Sequence, residues 1–169
     1  MGELKHIRAG FLAALLGAAA LLGCSRGGGA AGGGTSNGLP SADLDQAIGD
    51  QIGDPTTCVL IVDVASGKTL YQYGSGFNCA RPWPACDRAG SLTARSAVPL
   101  AQTPDGRGAS CPVGGGPGAM VGWAEGKIAG AKRPLVYSAV MDGSRALPGH
   151  EMAGRLEQVF ANLGIGTGD

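Results

Sequence analysis

The chain reads as an α+β protein: an antiparallel sheet of two hairpins, with the N- and C-terminal helices of the domain on one face. Three observations predict this. Residues 58–62 (Cys-Val-Leu-Ile-Val) form a continuous apolar, β-branched run, and Ala65-Ser66-Gly67 then supplies a tight turn into Lys68-Thr69-Leu70-Tyr71-Gln72-Tyr73. A second strand pair is predicted at 120–123 and 134–141, the latter ending at Asp142-Gly143. On either side of these hairpins, apolar residues recur at helical spacing.

Composition sets the outer limits. With 169 residues, 32 glycines, five cysteines and 5% aromatics, the chain fits one domain plus attachments, and its zero net formal charge gives no reason to expect a nucleic-acid partner. At the N-terminus, Lys5 and Arg8 precede an apolar run over 9–23 that is too short to span a bilayer, and Cys24 follows. This is the pattern of a secretory signal peptide over 1–23. Its end, Leu21-Leu22-Gly23-Cys24, resembles a bacterial lipobox, which implies cleavage before Cys24 and diacylation of its thiol. The cut leaves 146 residues with 11 basic and 12 acidic side chains. Two or more acyl chains anchor a protein stably where one does not, so the membrane is expected as a partner through the lipid rather than through charge. Ser25 after the anchor fits an outer-membrane protein facing the periplasm of a Gram-negative cell.

Residues 24–40 are glycine-rich and read as a flexible tether with an r.m.s. reach of roughly 20–25 Å. From Ser41, a predicted N-cap, Leu44, Ile48 and Ile52 recur every four residues, with Asp43 and Asp45 in the first turn, so a short amphipathic helix closes near Gly53. The two strands of the first hairpin come next. Over 74–118, nine glycines and six prolines make up one third of 45 residues, and neither a helical nor a strand period runs through them, so this segment is predicted to be weakly ordered. Order returns with the strand at 120–123, a polar connection over 125–133 and the strand at 134–141. The last helix is predicted over 148–163, with Pro148 at its first position, Met152, Leu156, Val159, Phe160 and Leu163 on one face, and Gly164 as its stop; residues 165–169 form a tail.

This element order over 41–164, together with two local strings, resembles the serine β-lactamase and penicillin-binding protein superfamily, most closely class D β-lactamases. The strings are Cys58-Val59-Leu60-Ile61-Val62-Asp63, followed by Ser66-Gly67-Lys68, and Gly118-Ala119-Met120-Val121-Gly122-Trp123-Ala124-Glu125. The resemblance implies β-lactam hydrolysis or penicillin binding through an acyl-enzyme, with a β-lactam or a peptidoglycan peptide as ligand and no cofactor. It also implies a helical subdomain between the sheet halves, for which 74–118 is too short. A shortened or degenerate member fits, produced by an internal deletion or a frameshifted stretch between about Ala80 and Gly118.

That chemistry needs a serine in Ser-x-x-Lys, where the lysine strips the hydroxyl proton, and no serine here has a lysine three residues on. Pro84-Ala85-Cys86-Asp87-Arg88-Ala89 lies where the resemblance puts the motif, with Cys86 in place of the serine and Ala89 in place of the lysine. Ser96-Ala97-Val98 matches the second motif, Ser-x-Val, but the same tripeptide recurs at Ser138-Ala139-Val140. Lys-Thr-Gly, expected shortly before Gly118, is replaced by Cys111-Pro112-Val113-Gly114, and Lys68-Thr69-Leu70 sits in the wrong strand. Ser96 and Cys86 are therefore the candidate nucleophiles, with a structural cysteine the simpler reading of Cys86.

With Cys24 acylated, Cys58, Cys79, Cys86 and Cys111 remain, an even number that in an oxidising compartment allows three pairings. Cys58 with Cys79 is the first expected pair, since one lies in the first strand and the other just past the second; Cys86 with Cys111 is left to staple the middle. The spacings do not give the paired knuckles of a zinc site, and no metal is expected. His150 opens the last helix and reads as a solvated first-turn residue. Trp83 and Trp123 suit a groove or, for Trp123, sheet packing. Two readings stand: an impaired acyl-enzyme of the envelope, or a non-enzymatic structural or interaction lipoprotein; either is expected to be a monomer.

Overall fold

The computed structural model describes residues 37–104 and 106–166. The signal peptide, the lipidation position Cys24 and most of the tether lie outside the described residues. The first helix, α1 (Ser41–Ile52), buries Leu44, Ile48 and Ile52, as their spacing requires. Each such side chain contributes roughly 1.5–3 kcal/mol on leaving water. Ser41 is the first helical residue rather than the cap: Pro40 holds the N-cap position, and the Ser41 hydroxyl donates back to the Leu39 carbonyl at 3.4 Å. Residues at the end of the predicted tether already belong to the domain, since Leu39 packs on the core and the Asn37 side-chain amide donates to the Leu70 carbonyl at 3.3 Å.

Strand β1 (Cys58–Asp63) is buried at every position because both of its faces are covered. It pairs antiparallel with β2 (Thr69–Tyr73) through a turn anchored by Asp63, whose carboxylate accepts from the Ser66 amide at 2.9 Å while Gly67 takes φ +66°. On its other side it pairs with β7 (Leu135–Gly143), which pairs in turn with β6 (Met120–Lys127) and that with β5 (Arg107–Pro112), giving the sheet order β2-β1-β7-β6-β5. Alternation then sorts the side chains. Val59, Ile61, Tyr137, Ala139 and Ala124 face α1 and α4 (Gly149–Asn162), meeting Met152, Leu156, Val159 and Phe160. The structure is thus α+β, with the terminal helices on one face, as the sequence predicts. Pro148 caps α4 instead of opening it, and Ile165 packs against the same core, so the domain runs past the predicted tail boundary.

The opposite residues, Leu60, Val62, Val121, Trp123, Val136 and Val140, lie under a second layer built from the middle of the chain. Here the sequence expectation needs correction. Residues 74–118, predicted to be weakly ordered, supply α2 (Gly76–Ala80), a two-residue ladder of β3 (Trp83–Pro84) with β4 (Ser91–Leu92), α3 (Ala94–Ala97), a 3-10 turn Val98–Gln102 and the fifth strand of the main sheet, β5 (Arg107–Pro112). These pieces are too short to show a hydrophobic period. Local caps and covalent links hold them instead: the Ser75 side chain caps α2, Thr93 and Ser96 form a capping box on α3, and disulfides join Cys58 to Cys79 and Cys86 to Cys111. Both pairings are those expected from the chain order.

Candidate functional site

The residues with chemical potential collect where β5 meets the loop after β3. Cys86 sits at the turn of that loop in a left-handed conformation, φ +69°, unusual for a residue with a Cβ. Its sulfur is bonded to Cys111 on β5, with Cα atoms 5.3 Å apart. Cys86 is therefore no thiol, and its candidacy as a nucleophile is withdrawn: a sulfur committed to a disulfide has no thiolate to attack with.

Arg107, the first residue of β5, stands directly across from Glu125 of β6 in the strand register. Its Nη1 donates to both Glu125 carboxylate oxygens at 2.8 and 3.0 Å. Nε and Nη2 each donate to one oxygen of Asp87 at 2.8 Å, and Nη2 also donates to the Ala85 carbonyl. The guanidinium packs 5.8 Å from the centroid of Trp123, whose indole N–H donates to the Pro84 carbonyl at 2.8 Å. One cation thus ties two carboxylates and the loop backbone together while nearly buried. Burial pushes the Glu125 carboxyl up to about 7 against the pull of Arg107, whereas hydrogen bonds from Arg107 and Arg88 hold Asp87 well below the ordinary carboxylate range. Burial acts to lower the Arg107 pKa, but the two carboxylates outweigh it and raise it.

Beside this network, between the start of β5 and α4, lies a cleft of about 520 Å³ lined by Arg107, Glu125, Lys127, Tyr137, His150 and Glu157. His150 is exposed in the first turn of α4, as its position suggests. The cleft carries acid, base and imidazole groups, but neither candidate nucleophile lines it. Ser96 lies in α3, exposed; its Oγ accepts from the Thr93 amide at 2.8 Å, and its own amide donates to Thr93 Oγ1 at 3.1 Å. That reciprocal pair is a helix cap. Trp83 and Trp123 are both buried among apolar side chains.

Sequence reasoning missed the Arg107–Asp87–Glu125 network. One signal was present: Glu125 follows directly on an apolar strand, and a carboxylate buried there requires a cationic partner. Which cation serves could not be read from spacing, since 18 residues separate the two. Among the described residues no group of three or more His, Cys, Asp or Glu could hold a metal ion, and no helix is long and apolar enough to cross a membrane. No protein-family model, curated protein or solved structure matches the chain.

Proposed function

We propose that the chain is a non-catalytic protein of the bacterial cell envelope, anchored through acylated Cys24, whose domain is a shortened scaffold of the serine β-lactamase and penicillin-binding protein type. The observation that carries this reading is the engagement of both candidate nucleophiles: Cys86 is a disulfide half-cystine and Ser96 closes a helix cap. No Ser-x-x-Lys exists to supply an activated alternative. Support for the scaffold comes from the element order, with a helix and strand pair leading into a middle layer and three strands and a helix closing the domain. The stretch shortly before Gly118 where the resemblance expects Lys-Thr-Gly reads Cys111-Pro112-Val113-Gly114, at the end of edge strand β5. In this reading the Arg107 guanidinium is spent on Asp87 and Glu125 and is not offered to a substrate carboxylate.

The two disulfides fit an oxidising, non-cytoplasmic compartment. The enzymatic alternative, an impaired β-lactam hydrolase, is tested by turnover of a chromogenic cephalosporin: the folded chain is expected to hydrolyse it no faster than buffer, and saturable hydrolysis would overturn the reading. Anchoring is tested separately. The Cys24→Ser variant is expected in the soluble envelope fraction and the parent chain in the membrane fraction; identical distribution of the two would remove the lipid anchor from the proposal.

A further inference from the structure

The two disulfides close rings of similar size, with sequence separations of 21 and 25 residues, so chain entropy does not distinguish them. Their surroundings do. Cys58 and Cys79 are both buried. Cys86 and Cys111 are only half-buried: Cys111 belongs to β5, the last strand of the sheet, and Cys86 lies on a loop whose Pro84, Asp87, Arg88 and Ala89 are exposed. The backbone at Cys86 differs as well. The Asp87 amide donates to the Ala85 carbonyl at 2.9 Å, two residues back, which puts Cys86 at the apex of a three-residue turn. With φ +69° at that apex this is the rare, strained form of γ-turn, and among the described residues Cys86 is the only non-glycine residue at positive φ. Other bonds hold the loop besides the disulfide: the Ala85 amide donates to the Gly90 carbonyl at 3.1 Å, and Arg107 donates to Asp87 and to the Ala85 carbonyl.

We propose that the Cys86–Cys111 bond is a thiol–disulfide exchange site, opened by a dithiol while the domain stays folded, and that Cys58–Cys79 is a permanent staple. A thiolate of the dithiol attacks the Cys86 sulfur, the bond to Cys111 breaks, and Cys111 leaves as a thiolate that takes a proton from water. The second thiolate of the dithiol then attacks its own partner sulfur in the mixed disulfide and releases Cys86, which is protonated in the same way. Two electrons pass to the protein, and the dithiol ends as a disulfide. Access favours attack at this bond, and relief of the turn favours the reduced product, because Cys86 is then free to leave the left-handed region. The oxidised and reduced chains thus differ in the loop over 85–90. The inference uses the geometry of one loop and depends neither on the lipid anchor nor on the scaffold resemblance.

The test incubates the full chain with graded ratios of reduced to oxidised dithiothreitol, traps free thiols with N-ethylmaleimide, and reads each cysteine by tandem mass spectrometry. Cys86 and Cys111 are expected to be half-trapped at a ratio about tenfold or more below that needed for Cys58 and Cys79, with the far-UV circular dichroism unchanged. Urea separates local opening from unfolding. Below the unfolding transition it is expected to leave the trapping rate of Cys86 and Cys111 within about twofold, and to speed that of Cys58 and Cys79 by about tenfold. Amide exchange at Asp87, the donor of the turn, is expected to rise by about tenfold on reduction. Opening of both bonds together, earlier opening of Cys58–Cys79, trapping of Cys86 only as urea unfolds the chain, or unchanged exchange at Asp87 would each overturn the proposal.

Discussion

Glu125 is the residue whose surroundings most constrain the behaviour of the fold. Its carboxyl titrates near 7 in the folded protein against an ordinary 4.5, because burial penalises the charge more than Arg107 repays it. The unfolded chain therefore gives up this proton first as pH rises, so the stability linked to Glu125 is full below 4.5 and is lost on the way to about 7. Asp142, also raised by burial, acts in the same sense. Asp87 acts in the opposite one: its folded pKa is depressed, and its contribution is present above 3.8 and lost as pH falls. Thermal melts are expected to show greatest stability in mildly acid solution, with a decline towards neutrality whose slope is at most about 1.4 kcal/mol per pH unit for each proton. In Glu125→Gln that decline should shrink by close to one proton; an unchanged slope would mean that Glu125 keeps an ordinary pKa. Sequence reading placed Glu125 in a polar connection because charge normally marks a strand end. The strand continues to Lys127 because Arg107, opposite in the register, neutralises the carboxylate.

At the scale of elements, the legible parts were those whose own side chains do the holding. The faces of α1 and α4 are written in Leu44, Ile48, Ile52, Met152 and Leu156, and β1 in an unbroken apolar run. Strand β5 was not legible, since Arg-Gly-Ala-Ser-Cys-Pro contains no β-branched residue. Its membership comes from backbone pairing to β6, and its glycine from the helix above: a Cβ at Gly108 would stand 2.8 Å from the His150 nitrogen. The same close approach fixes Gly122, where a Cβ would run into the Leu147 carbonyl, and Gly149, where it would meet the Trp123 carbonyl. Gly122→Ala is accordingly expected to destabilise the domain by about 3 kcal/mol, as overpacking against rigid backbone does, readable as a lowered denaturation midpoint; a change under roughly 0.5 kcal/mol would show that α4 can move off the sheet freely. The middle layer depends on its links in another way. Replacing Cys86 and Cys111 together by alanine is expected to cost about 2–4 kcal/mol and to raise amide exchange in the loop that Arg107 pins. Exchange unchanged in that loop would assign its order to the ion pairs alone.

At the scale of the whole molecule, the segment predicted to be weakly ordered is an integrated layer. It furnishes the cation for Glu125, the backbone partner for β6 and three of the four disulfide cysteines. Four cysteines were paired correctly from order alone because each pair joins the sheet to the layer above it. Of the candidate site, the missing Ser-x-x-Lys and the pairing of Cys86 with Cys111 could be read from the sequence, whereas the capping role of Ser96 and the Arg107 network required the fold. Incubation of the purified, demonstrably folded chain with a fluorescent penicillin, followed by denaturing gel and intact mass, tests the structural employment of Cys86 and Ser96 most directly. A protein whose nucleophile positions are all structural keeps its unmodified mass with both disulfides intact; a covalent penicilloyl adduct, with Ser96 the first position to map, would contradict the account.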